Sequence, residues 1–195
     1  MKNKKIIFFI IIIILIIIGL FIFFRNKGTK NFKIGNNTSS QEIVDYILNI
    51  NSYEAVIEVD VKSNKNENKY KIKQVYNGND NNSQEVLEPS NIAGVKLIKE
   101  GNNLKLENSN LNLTNILQNY EYISDNALDL SSFIDNYKNN SNSKWDEKDD
   151  KIIMKTSNRT LYINRENGLP KKMEIQDTGK KTAIYILYNE VNVNS

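Results

Sequence analysis

No cysteine and no histidine occur in the 195 residues of this chain, and there are only two prolines and one tryptophan. Without cysteine the chain forms no disulfide, offers no thiolate to a metal and cannot be a diacylglyceryl lipoprotein. Without histidine it lacks the commonest general base and metal ligand, so most hydrolase constellations are closed to it. No glycine-rich phosphate loop and no internal repeat are evident. The chain is accordingly expected to have no catalytic residue, cofactor or metal site.

What is present begins with an apolar run. Ile6 to Phe24 carries no charge, and at an α-helical rise this gives roughly 28 Å, close to the hydrocarbon thickness of a bilayer. A secretory signal has a shorter apolar region and a small-residue cleavage site, whereas here Phe24 runs straight into Arg25. The run, including Ile6, Ile16, Gly19 and Phe24, is expected to be an uncleaved single-pass anchor. The alternative is a signal peptide cut after Gly28. Residues 1–5 form a basic flank, and residues 25–40, rich in Asn, Lys, Gly and Ser, read as a flexible tether.

Lys2, Lys4 and Lys5 precede the run while Arg25, Lys27, Lys30 and Lys33 follow it, so the positive-inside count is nearly balanced and does not set topology. Those seven cations leave 19 Lys and Arg against 23 Asp and Glu in the remainder. The chain's formal +3 thus belongs to its membrane-flanking segments, which can meet anionic headgroups. The body lacks the basic excess of a nucleic-acid binder, and nucleic acid is not an expected partner.

Residues 41–195 have the length of one ordinary domain. In "SSQEIVDYILNI", Ser39 or Ser40 can cap a short helix whose Ile43, Val44, Ile47 and Leu48 recur at helical spacing. "YEAVIEVDV" sets Glu54, Glu58 and Asp60 against Ala55, Ile57, Val59 and Val61, with Val56 the exception. "KYKIKQVY" alternates in the same way, so both predict half-buried strands. "QEVLE", "AGVKLIKE", "NLKLEN", "KIIMKTS", "RTLYINR", "KKMEIQD" and "TAIYILYNEV" predict further strands, with a hairpin at Gly101-Asn102 and turns at "ENGLP" and "DTGKK". One or two short helices are placed between Leu113 and Tyr137. The class is α+β, dominated by one large antiparallel sheet.

Three strings invite a catalytic reading. "SNSK" (Ser141 to Lys144) fits S-x-x-K and "SDN" (Ser124 to Asn126) fits the second motif of the penicillin-binding set. Their order is reversed, no K-T-G follows, and "SNSK" sits in a polar stretch, so both are read as accidental. The acidic run "WDEKDDK" offers Asp146, Glu147, Asp149 and Asp150 as paired carboxylates. It is read instead as a solvated loop before a strand, since Lys144, Lys148 and Lys151 neutralise most of it.

Across residues 41–193 the chain resembles the GerS-type germination lipoproteins of endospore-forming clostridia, within the wider LolA, LppX and RseB superfamily. The stretches that carry the likeness run from "QEVLEPSNIAGVKLIKEGNNLKLENSNLNLTNIL" through "YISDNALDLSSFIDNY" to "NGLPKKMEIQD" and "YILYNEV". Leu87, Glu88, Pro89, Gly94, Gly101 and the Gly168-Leu169-Pro170 turn stand in its order. The resemblance implies a strongly curved, incomplete antiparallel barrel with helices plugging its open side. It also implies a membrane-anchored, non-enzymatic partner and activator of a spore-cortex N-acetylmuramoyl-L-alanine amidase of the CwlD type, on the extracytoplasmic side of the cell membrane and needed for germination. The alternative is a LolA-like carrier of lipoproteins or acyl chains, or an envelope lipid sensor. The two differ in whether the concave face is filled or holds an open apolar pocket. One departure stands out: the lipid-bearing cysteine of that family is replaced here by the Ile6–Phe24 run, and a spanning helix retains a protein more firmly than one acyl chain. A protein interface of ordinary size is expected to draw aromatic anchors from the tyrosines, Trp145 and Phe133. The sequence does not set the oligomeric state.

Overall fold

The computed structural model describes residues 34, 37–63, 66–78, 81–101, 103–118, 127–177 and 182–193. The expected anchor, with Ile6, Ile16, Gly19 and Phe24, lies outside these residues, as does Ser124 to Asn126. Among the described residues no helix is long and apolar enough to cross a membrane.

The first element is helix α1, Ser40–Leu48. Ser39 caps it in extended conformation: its hydroxyl accepts from the Glu42 N–H at 3.2 Å, and the Glu42 carboxylate accepts from the Ser39 N–H at 2.7 Å. This reciprocal capping box satisfies two amides that the helix cannot pair internally. The Ser39 amide, and then its hydroxyl, hold the Glu42 carboxyl below its ordinary pKa.

A meander follows: β1 (Ser52–Lys62), β2 (Glu67–Asn77), β3 (Asn81–Glu88), β4 (Val95–Glu100), β5 (Asn103–Asn108), a 3-10 turn (Ser109–Leu111) and β6 (Leu113–Leu117). Helix α2 (Leu130–Asn139) leads into β7 (Lys144–Lys148), β8 (Lys151–Lys155), β9 (Arg159–Asn164), β10 (Pro170–Asp177) and β11 (Thr182–Val193). All pair antiparallel in one open sheet of order β6-β5-β4-β3-β2-β1-β11-β10-β9-β8-β7. The last strand returns to lie against the first, so the chain grows outward from β1 and closes beside it. The edges, β6 and β7, stand at opposite ends of that order.

The register assigns the faces. On β1, Tyr53, Ala55, Ile57 and Val59 are buried while Glu54 and Glu58 are exposed. Their partners Ile186 and Tyr188 on β11, and beyond them Met173 on β10, Leu161 on β9 and Met154 on β8, share that inward face. Ile43, Val44 and Ile47 of α1 and Leu130, Phe133 and Ile134 of α2 are buried with them. Most of these are fully covered, each side chain contributing about 1.5–3 kcal/mol of apolar burial. Val56, the exception to the alternation, stands where the β1–β11 register shifts, at a bulge that also leaves Asn189 unmatched.

Two stretches differ from the sequence reading. Leu113–Leu117, assigned to a helical region, is strand β6; helix α2 is confined to Leu130–Asn139. The five residues of β6 are all exposed and carry no amphipathic alternation, so periodicity was silent there. "KWDEK", where the sequence predicts a loop, is strand β7, joined to β8 through Asp149 and Asp150 at φ 50° and 57°. Two successive left-handed residues make the two-residue hairpin turn whose twist suits adjacent strands.

Candidate functional site

The acidic run is held by structural contacts. Glu147 binds the Ser40 hydroxyl and Arg165, whose Nε lies 3.3 Å from Oε1, and Arg165 also reaches the Thr38 carbonyl. Asp149 and Asp150 are turn residues at an exposed hairpin tip. Ser141 and Lys144 are likewise exposed, at and beside the turn that follows α2. These groups converge on no cleft.

The inward face near α2 is filled by a polar clamp that the sequence did not announce. The Leu130 N–H donates to the Tyr53 hydroxyl at 3.1 Å, so a strand side chain caps α2 where Asp129 makes no side-chain cap bond of its own. Gln74 donates to the Leu128 carbonyl at 3.2 Å, and Gln84 donates to Asp129 Oδ1 at 2.5 Å. Gln74 is 1 % exposed and Gln84 9 %, an unusual burial for glutamine that these bonds offset in part, since Gln74 Oε1 is buried without a hydrogen-bond partner. Three strands thus fix the helix N-terminus against the sheet. Burial, and then the nearby Asp129 carboxylate, push the Tyr53 and Tyr188 hydroxyls well above their ordinary pKa.

Beyond β3 the same face is covered only in part, and its exposure rises toward β6. The pairs Gln84↔Leu97, Leu97↔Leu106, Leu104↔Leu117 and Asn108↔Leu113 put five leucines of β4, β5 and β6 on the side that faces the helices farther along the sheet. Leu113 is 61 % exposed and Leu106 40 %, whereas Leu104 is buried. Ile116 on the opposite face of β6 and Leu111 in the preceding turn add 54 % and 64 % exposure. That turn is built by asparagines: the Asn108 side chain accepts from the Asn110 and Leu111 N–H groups at 3.1 and 3.2 Å, and Asn112 takes φ 52°. Gly94, at φ 83°, lies so close to Asn110 that a Cβ there would stand 2.8 Å from its amide nitrogen.

The two sheet edges contrast. β7 reads Lys-Trp-Asp-Glu-Lys, a charged edge of the kind that discourages further pairing. β6 reads Leu-Thr-Asn-Ile-Leu, uncharged and with three aliphatic residues of five, and no described strand pairs with its outer side. A short apolar edge with open backbone groups is suited to accept a strand or an apolar surface from another molecule. Of the aromatic anchors expected, Phe133 is fully buried in the core and Trp145 is half-buried on β7. The exposed apolar residues of β6 are aliphatic, outside the aromatic set expected from the sequence.

Comparison with solved structures finds the GerS lipoprotein of Clostridioides difficile, in a complex with the CwlD amidase, at 22 % identity and TM-score 0.43, over 84 % of this chain and 97 % of that one. A LolA superfamily protein from Nitrosomonas europaea aligns at 12 % identity and TM-score 0.43, over 81 % and 94 % of the two chains. An uncharacterised conserved protein from Thermus thermophilus aligns at 11 % and 0.49, over 81 % and 89 %. No curated protein matches by sequence. The model of the YdcC-like sporulation proteins matches residues 3–195, and the chain therefore belongs to that family.

Proposed function

We propose that this chain is a non-enzymatic, membrane-anchored partner of a spore-cortex N-acetylmuramoyl-L-alanine amidase, and that it engages that enzyme through the β6 edge. The observation that carries the reading is the contrast between the edges: an apolar, uncharged β6 beside exposed Leu111, Leu113 and Ile116, against a charged β7. Membership of a sporulation family supports the setting, and the GerS relative was solved with the CwlD amidase bound to it. The clamp of Tyr53, Gln74 and Gln84 on α2 supports a filled interior over an enclosed acyl pocket. The Ile6–Phe24 run would confine the domain beside an enzyme working at the same membrane and raise the frequency of their encounter.

The direct test mixes full-length protein with the amidase and follows both co-elution and muramoyl-alanine cleavage. A complex with raised turnover is expected. No complex, together with acyl chains copurifying with the protein, would favour a carrier instead. Amino-terminal analysis of the mature chain, with protease access in intact protoplasts, tests the anchor; a new terminus near Gly28 would remove it.

A further inference from the structure

The opposite face of the sheet holds a cleft of about 740 Å³ that has no part in the β6 edge. Tyr185 and Leu187 of β11 form its floor, Glu58 and Asp60 of β1 and Lys71 of β2 one side, and Lys172 of β10 the other. The volume falls within the roughly 300–1,000 Å³ of small-molecule sites.

Its chemistry narrows the occupant. Carboxylates and ammoniums balance around it, three of each with Glu88 and Lys69 included, so it does not gather a polyanion. The same six charges make it a poor seat for an acyl chain, which could not offset their desolvation. β2, β1, β11 and β10 are paired on both sides, so no open backbone edge is available for a peptide to add as a strand.

What the walls do offer is an apolar floor ringed by donors and acceptors close together. Leu187 is 41 % exposed. Lys172 Nζ stands 5.3 Å from the Tyr185 ring centroid and 5.8 Å from that of Tyr162, and Lys62 Nζ stands 5.8 Å from Tyr185, which holds the ring in place. Asp60 Oδ2 pairs with Lys62 at 3.3 Å, which fixes that ammonium beside Tyr185.

We propose that this cleft binds an oligosaccharide. A sugar ring presents a C–H face that can rest on Tyr185 and Leu187. Its hydroxyls both donate and accept, so one ring can serve Glu58, whose Oε1 already accepts from Asn189 Nδ2 at 2.8 Å, as a further donor and Lys71 as acceptor at once. The site is separate from the β6 edge, and the protein can therefore hold a glycan and a protein partner together.

The test titrates full-length protein, kept in a zwitterionic detergent free of sugar headgroups, with N,N′,N″-triacetylchitotriose in a calorimeter. Saturable weak binding is expected. Tyr185→Ala should weaken it about five- to tenfold. Glu58→Gln, which keeps an acceptor for Asn189 Nδ2 at this exposed position, should weaken it about threefold, and its melting curve should match the parent. No binding heat, or equal affinity in all three proteins, overturns the proposal. Retention on insoluble chitin, against flotation with glycolipid vesicles, separates a glycan strand from a lipid headgroup as the source. Tyr185→Ala should leave amidase binding unchanged, so failure of the cleft and failure of the partner reading are read separately.

Discussion

Replacing Leu111, Leu113 and Ile116 together by alanine removes the three most exposed apolar side chains at and just before the β6 edge and leaves Leu117, which is 37 % exposed. The three are 64 %, 61 % and 54 % exposed, so most of their surface is still in water and is available to a partner. Complete burial of a leucine or isoleucine is worth about 1.5–3 kcal/mol, of which about three-fifths remains to be gained on binding. Alanine keeps the Cβ and so retains part of it. The triple variant should lose about 2–4 kcal/mol of association energy, a weakening of about 30- to 700-fold. The fold should be nearly indifferent, since exposed surface substitutions change stability by about 0.5 kcal/mol or less each. Affinity for the amidase is measured by calorimetry, and stability by urea titration of the same preparations. Lys144→Ala on the charged β7 edge is the control and should bind as the parent does. A triple variant that unfolds normally and binds with unchanged affinity would refute docking at β6.

Three further outcomes follow from the core and the caps. Phe133→Ala removes a ring that is 0 % exposed and packs 6.0 Å from Tyr137, and urea unfolding should show a loss of about 3–5 kcal/mol. Because burial raises the Tyr53 and Tyr188 pKa in the folded state, the unfolded chain releases those protons first. Their contribution is therefore complete below pH about 10 and is lost as pH rises above it, by up to about 1.4 kcal/mol per pH unit for each tyrosine. Tyr188→Phe should flatten that alkaline loss, and at neutral pH it should be neutral or stabilising, because the Tyr188 hydroxyl is buried without a hydrogen-bond partner. Ser39→Ala opens the capping box of α1 and should cost about 1 kcal/mol in thermal unfolding.

Local chemistry made much of this molecule legible from its sequence. Ser39 or Ser40 ahead of Ile43, Val44, Ile47 and Leu48 at helical spacing marks α1, with the structure choosing Ser39 and its capping box with Glu42, and the period of two in "YEAVIEVDV" marks β1 and its buried face, because both signals are complete within a few residues. Gly101 and Gly168 mark turns because φ 57° and 63° are conformations that a side chain resists. β6 and β7 escaped because edge strands bury too little to impose alternation: one is exposed throughout, and the other is charged. Tertiary structure alone decided which side of "AIYILY" faces inward. Apolar residues occupy both sides of that stretch, so its orientation is set by pairing with β1, which turns Ile184, Ile186 and Tyr188 to the core and leaves Tyr185 and Leu187 to floor the outer cleft. A register shift of one residue would exchange those two sets, and only the fit of β11 between β1 and β10 holds the register. Gln74 and Gln84 became core residues for a similar reason: their partners at Leu128 and Asp129 lie 54 and 45 residues away, and only folding brings them together.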